Sequence, residues 1–204
     1  VIFLFSAIDF FFRCNIIVYM EKQEKRQTGK KIAMLGILAG LGLVAFMLES
    51  LIPLPFLPGA KLGFANIFSL FALLLYGLPE ALIVVIVRTV LGSLFAGNVS
   101  MLLYSLTAGL VSTCVSRLLL CAVPHISFLC VSVAGAIVHN LVQLFVYCGL
   151  TGTMLLFAYS PYLCLMGAGA GVVVGLVVTF LCKALPARVI IPPVRQTLPK
   201  EDKK

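Results

Sequence analysis

The chain has 204 residues, 62% of them hydrophobic and 11% charged, with a net charge of +8 and a mean hydropathy of +1.16. A soluble domain carries roughly 25% of its residues as charges, so this balance excludes an ordinary soluble enzyme and predicts an all-α integral membrane protein. The basic residues do not interleave with aromatics over one face, as nucleic-acid binding requires. They gather at the two ends, Lys22, Lys25, Arg26, Lys30 and Lys31 in front and Lys183, Arg188, Arg195, Lys200, Lys203 and Lys204 behind, which by the positive-inside rule predicts two cytoplasmic termini.

Residues 1–19 are apolar but contain Asp9, Arg13 and Asn15, and Met20 opens a hydrophilic stretch, EKQEKRQTGKK. With no basic segment ahead of the apolar run and no A-x-A-like cleavage site, the favoured reading is an upstream extension of the gene call. The rivals are a signal peptide and an additional helix. Residues 20–31 then form a basic cytoplasmic N-terminus, 32–185 the membrane domain and 186–204 a polar cytoplasmic tail.

Apolar runs and their breakers predict six transmembrane helices. These are Ile32–Leu51, ended by PLPFLPGAK; Leu62–Tyr76, closed by Gly77 and Pro79; Glu80–Ala96; Val99–Val123; Ile126–Leu150; and a last run from Met154 to Leu185. The last is too long for one straight span, so Pro161 marks a kink or the true start. Polar and apolar residues do not alternate as a β-barrel requires. Seven scattered cysteines without C-x-x-C spacing read as small packing residues, and neither a metal nor a cofactor is expected.

Within this apolar background a few polar groups stand out. In SVAGAIVHNLVQLF, Ser132, Gly135, Ala136, His139 and Gln143 share one helical stripe with Asn140 at its edge. Such a stripe faces protein or a cavity: either the amides bond across a helix interface, or they and the imidazole line a ligand site. Arg88 lies mid-span, where an arginine costs about 2.5–3.5 kcal/mol on insertion scales and so must face inward. Glu80, eight residues earlier, is about 12 Å away along the axis and too far to pair with it. Its partner is therefore Glu49, an amide such as Asn140, or an anionic ligand. In PGAKLGFANIFSL, Lys61, Asn66 and Ser69 lead into the second helix, either as a plain loop with a snorkelling lysine or as a lid over a pocket. Ser105, Gly109, Ser112 and Ser116, the pair Gly36 and Gly40, and the trio Gly167, Gly171 and Gly175 read as small-residue seams for helix contact.

PGAKLGFAN, VRTVLGSLFAGN, YSLTAGLVS and SVAGAIVHNLVQL, in that order, resemble the bacterial membrane family known both as Gx transporter and as heptaprenyl diphosphate synthase component I, over residues 32–185. The family is similar in size and six-helix layout to the S-components of energy-coupling-factor vitamin transporters. The two names imply different functions. Prenyl diphosphate synthases hold magnesium with aspartate-rich motifs, whereas the aspartates here are Asp9 and Asp202, so a catalytic role by that mechanism is not expected. No Walker-type loop and no nucleophile elbow occurs in these residues.

The resemblance thus implies a protein of the bacterial cytoplasmic membrane that binds a small anionic or amphipathic solute. Arg88 and Lys61 would attract charge, and Asn66, His139, Asn140 and Gln143 would orient the ligand. Likeness to an S-component further implies a separate ATPase and coupling module, with Gly36 and Gly40 as the docking face. The alternative is a non-catalytic accessory subunit that partners a prenyl synthase.

Overall fold

A computed structural model describes residues 28–51, 63–123 and 126–184. The leader, the PLPFLPGAK loop with Lys61, and the polar tail lie outside the described residues. The rest is helical: α1 (Thr28–Leu51), α2 (Asn66–Tyr76), α3 (Leu78–Phe95), α4 (Val99–Ala122), α5 (Phe128–Thr151), a 3-10 turn (Met154–Tyr159) and α6 (Ser160–Ala184). Five of these are long and apolar enough to cross a membrane, and α2 is not.

Local signals explain the boundaries. The side chain of Asn98 accepts from Met101 N–H at 3.1 Å to start α4, and that of Ser127 accepts from Leu129 N–H at 3.3 Å to start α5. Gly152, at φ +67°, ends α5 in the left-handed region. Pro161 lies in the first turn of α6, where a missing N–H breaks no bond. Of the two readings open at Pro161, the true start therefore holds, and the residues ahead of it coil as a 3-10 turn.

Helix α2 departs most from the sequence expectation. Its 11 residues rise about 16 Å, against a hydrocarbon core of about 30 Å. The physical reason lies in its surroundings. Ser69 to Leu75 are seven consecutive buried residues, so α2 is covered on every side, and it contacts α1, α3, α4 and α6. A helix apolar all round and wrapped in protein belongs to a core, and its ends need not reach the bilayer surface. Gly77, at φ 103° and ψ −173°, joins α2 to α3 through a single residue in a conformation that only glycine adopts readily.

Lys31 Nζ donates to Glu80 Oε1 at 2.6 Å and sits 5.7 Å from the Tyr76 ring centroid. These contacts place the start of α1, the end of α2 and the start of α3 at one level. At the other end of α1, Glu49 reaches the start of α2. The return leg thus runs inside the bundle.

Helices α5 and α6 pack along the glycine seam. A Cβ at Gly171 would lie 2.6 Å from Val133 Cα, one at Gly175 2.8 Å from Leu129 Cα, and one at Gly167 2.7 Å from Asn140 Nδ2. The seam in α1 is different: a Cβ at Gly36 or Gly40 would meet nothing within 4 Å, and both glycines are exposed.

Candidate intramembrane binding site

Fourteen polar or charged side chains among the described residues are buried, and most lie where α1, α2, α3, α4 and α5 converge. Burying them in a bundle of this apolarity is unfavourable unless they find one another or water. Two small adjoining cavities form where they meet, sharing Gly63 and Asn66 in their walls.

The first cavity, about 10 Å³, is lined by Glu49, Asn66, Arg88, Thr89, Ser105 and His139 among others. Arg88 is 3% exposed, and its Nη2 donates to Asn66 Oδ1 at 2.7 Å. Glu49, 5% exposed, accepts from Ala65 N–H at 3.0 Å through Oε1 and lines the same cavity as Arg88. Arg88 thus bonds to Asn66 with Glu49 on the same cavity wall, while Asn140 bonds to α6. Arg88 Nε and Ser105 Oγ are buried without a hydrogen-bond partner among the described residues.

The second cavity, about 30 Å³, is walled by Ser69, Ser112, Thr113, Ser116, Ser132 and the backbone of Gly135 among others. Volumes of this size hold about one to two waters. Thr113 Oγ1 donates to Gly109 O at 2.7 Å and Ser116 Oγ to Ser112 O at 2.9 Å, leaving their lone pairs for a further donor. The hydroxyls of Ser69 and Ser132 have no hydrogen-bond partner among the described residues. Ser112 Oγ lies 3.4 Å from His139 Nδ1, which ties the α4 stripe to α5.

The backbone makes room for this chemistry at three glycines. Gly63, at φ +86°, turns the chain into α2 and brings Asn66 N–H within 2.9 Å of its carbonyl. A Cβ at Gly109 would lie 2.7 Å from Val85 Cγ1, and one at Gly135 2.6 Å from Ser116 Oγ. Apolar side chains flank the cavities. Phe46, Ala65, Met101 and Tyr104 cluster near Glu49, with the Tyr104 and Tyr147 rings edge to face at 5.9 Å. Leu38, Leu73, Leu120 and Phe128 belong to the main core.

The structure therefore brings Asn66, Arg88 and His139 to one cavity. Asn140 is equally buried, but its Nδ2 donates to Leu163 O of α6 at 3.1 Å, in the notch left by Gly167. Gln143 is buried one turn further along α5 and borders neither cavity. Lys61 falls outside the described residues. Sequence reasoning missed the hydroxyls: Ser105, Ser112 and Ser116 read as a packing seam, yet they line the cavities. Their recurrence with Thr113 at i, i+7, i+8 and i+11, on one face of α4, was the signal, since packing alone requires small size and not four hydroxyls. Glu49, named only as a possible partner of Arg88, also binds the start of α2.

Comparison with curated proteins and with solved structures returned no match. The model of one protein family, heptaprenyl diphosphate synthase component I, matches residues 38–181. That match spans the helices from within α1 to near the end of α6, and with it every residue that lines the two cavities. The chain belongs to the heptaprenyl diphosphate synthase component I family.

Proposed function

We propose that this protein binds a small anionic or amphipathic solute in the polar interior of its helix bundle and serves as, or within, a transporter. One observation carries the reading: Glu49, Asn66, Arg88 and His139, from four different helices, line one small cavity beside a hydroxyl-lined second. Ionisable groups are costly at membrane depth, and where they converge on a cavity they mark a binding or conduction path. The cavities hold only water as they stand, so solute entry requires the helices around α2 to part. Lys61, twelve residues after Glu49 in the sequence, would supply a second positive charge, and Gln143 extends the polar face along α5.

In the same reading the protein sits in the bacterial cytoplasmic membrane with both termini inside, and α2 supplies the sixth crossing while wrapped by its neighbours. Its energy comes from a separate ATPase and coupling module, as in an S-component. The open face at Gly36 and Gly40 supports close approach of a partner helix there, because small residues let backbones meet.

The family name favours a second reading, a non-catalytic membrane subunit that partners a prenyl diphosphate synthase. The two meet if the solute is itself a prenyl diphosphate, an amphipathic anion.

Native mass spectrometry of the detergent-purified protein, beside Arg88→Ala and Asn66→Ala, separates them. Solute binding predicts a co-purifying small molecule carried by the parent and lost from both folded variants. A parent that carries no small molecule, in cells where its deletion lowers prenyl product without changing uptake, would replace solute transport with the accessory role.

A further inference from the structure

The first cavity contains a carboxylate in an unusual place. Glu49 lies in the last turn of α1 (Thr28–Leu51), the end of a helix that disfavours negative charge. What it faces is the opposite end of another helix. Its Oε1 takes the Ala65 N–H at 3.0 Å, where Ala65 stands at the N-cap of α2 with no side-chain cap of its own. A helix N-terminus carries a partial positive charge and attracts anions; at α2 the Asn66 and Ile67 N–H groups already donate to Gly63 O and Phe64 O, so Ala65 N–H is the backbone donor that Glu49 takes.

A second and independent feature points the same way. Arg88, from α3, lines the same cavity at 3% exposure, with Nη2 bound to Asn66 and Nε lacking a partner among the described residues. Ser105 Oγ, also without a partner among them, lies on the same wall. A helix end, a guanidinium and spare donors make a receptor for an oxyanion, and Glu49 supplies that oxyanion from within the chain.

We propose that the start of α2, with Arg88 and Asn66, is an oxyanion seat that Glu49 fills in this structure and that an anionic group of the solute takes over on binding. The ligand chemistry is a carboxylate, phosphate or diphosphate. Because Glu49 ties the end of α1 to the start of α2, its displacement releases that tie, which couples occupancy of the seat to opening of the bundle. The proposal rests on the solute-binding reading above.

Replacing Glu49 with Gln keeps an acceptor for Ala65 N–H and removes the competing charge. The test measures thermal stabilisation of the full chain in detergent by pyrophosphate, geranyl diphosphate and succinate, so that inorganic, prenyl and carboxylate sources are told apart. Glu49→Gln binds at least one of them ten times more tightly than the parent, and the double variant Arg88→Gln, Glu49→Gln does not. If Glu49→Gln does not fold, Glu49→Asp serves: one methylene shorter, it loosens its hold on Ala65 N–H, and binding tightens several-fold. Anion binding by the parent that is unchanged or weakened in the Glu49 variants overturns the displacement alone and leaves the solute-binding reading standing. No anion binding by parent or variants overturns the seat and the anionic solute together.

Discussion

Gly171→Ala and Gly36→Ala add the same methyl group to two small-residue seams, and the structure predicts opposite outcomes. At Gly171 the new Cβ would lie 2.6 Å from Val133 Cα, 3.1 Å from Ala136 Cβ and 3.1 Å from Ser132 O, where ordinary contact begins at 3.4 Å. The nearest atom is backbone and cannot rotate away, so α5 and α6 must separate by nearly an ångström along their shared seam. Overpacking of this kind costs about 1–3 kcal/mol, offset by the roughly 0.5–1 kcal/mol that alanine gains over glycine in a helix. At Gly36 nothing lies within 4 Å, so only the small propensity gain remains. The two variants should differ by about 1–3 kcal/mol, which at about 2–4 °C per kcal/mol for a chain of this size is roughly 2–12 °C in Tm. The buried thiols of Cys148 and Cys182 report unfolding through a thiol-reactive dye once the exposed Cys114 and Cys130 have been alkylated. A Gly171→Ala protein as stable as its parent, or a Gly36→Ala protein that loses as much, would refute the assignment of one seam to the bundle and the other to its open face.

Asn140→Ala should destabilise the fold by about 1–3 kcal/mol, because it removes the buried bond to Leu163 O and leaves a void against Gly167. In the same melts its bound solute, if retained, should be held nearly as tightly as by the parent; a folded Asn140→Ala protein that loses solute as completely as Arg88→Ala would move Asn140 into the site. Reporter fusions at residue 20 and at the C-terminus should both read cytoplasmic, and a periplasmic signal from one end alone would remove α2 from the crossings.

Much of the architecture was legible in the sequence because the bilayer imposes a simple rule. Long apolar runs bounded by Gly, Pro and polar residues have little choice but helix, and α1, α3, α4 and α5 end within a few residues of the expected breaks. The buried stripe of α5 followed from its period, since Ser132, Gly135, His139 and Gln143 all lie inside. Arg88 had to face inward for the cost of its charge. The family followed from motif order and is matched across residues 38–181.

Tertiary structure decided what those inward groups meet. A helical period fixes which face of α5 is buried, but not that Asn140 serves α6 while His139, one residue earlier, serves the cavity. Apolar composition alone made α2 look like any other span. That it is a short helix covered on all sides, with its start beside Glu49 and Arg88, depends on contacts between residues far apart in the chain. Hydrophobicity is additive along a sequence and can be read from it. Pairing of buried charges is set by distance in space, so the partnership of Glu49 with the start of α2 belongs to the fold.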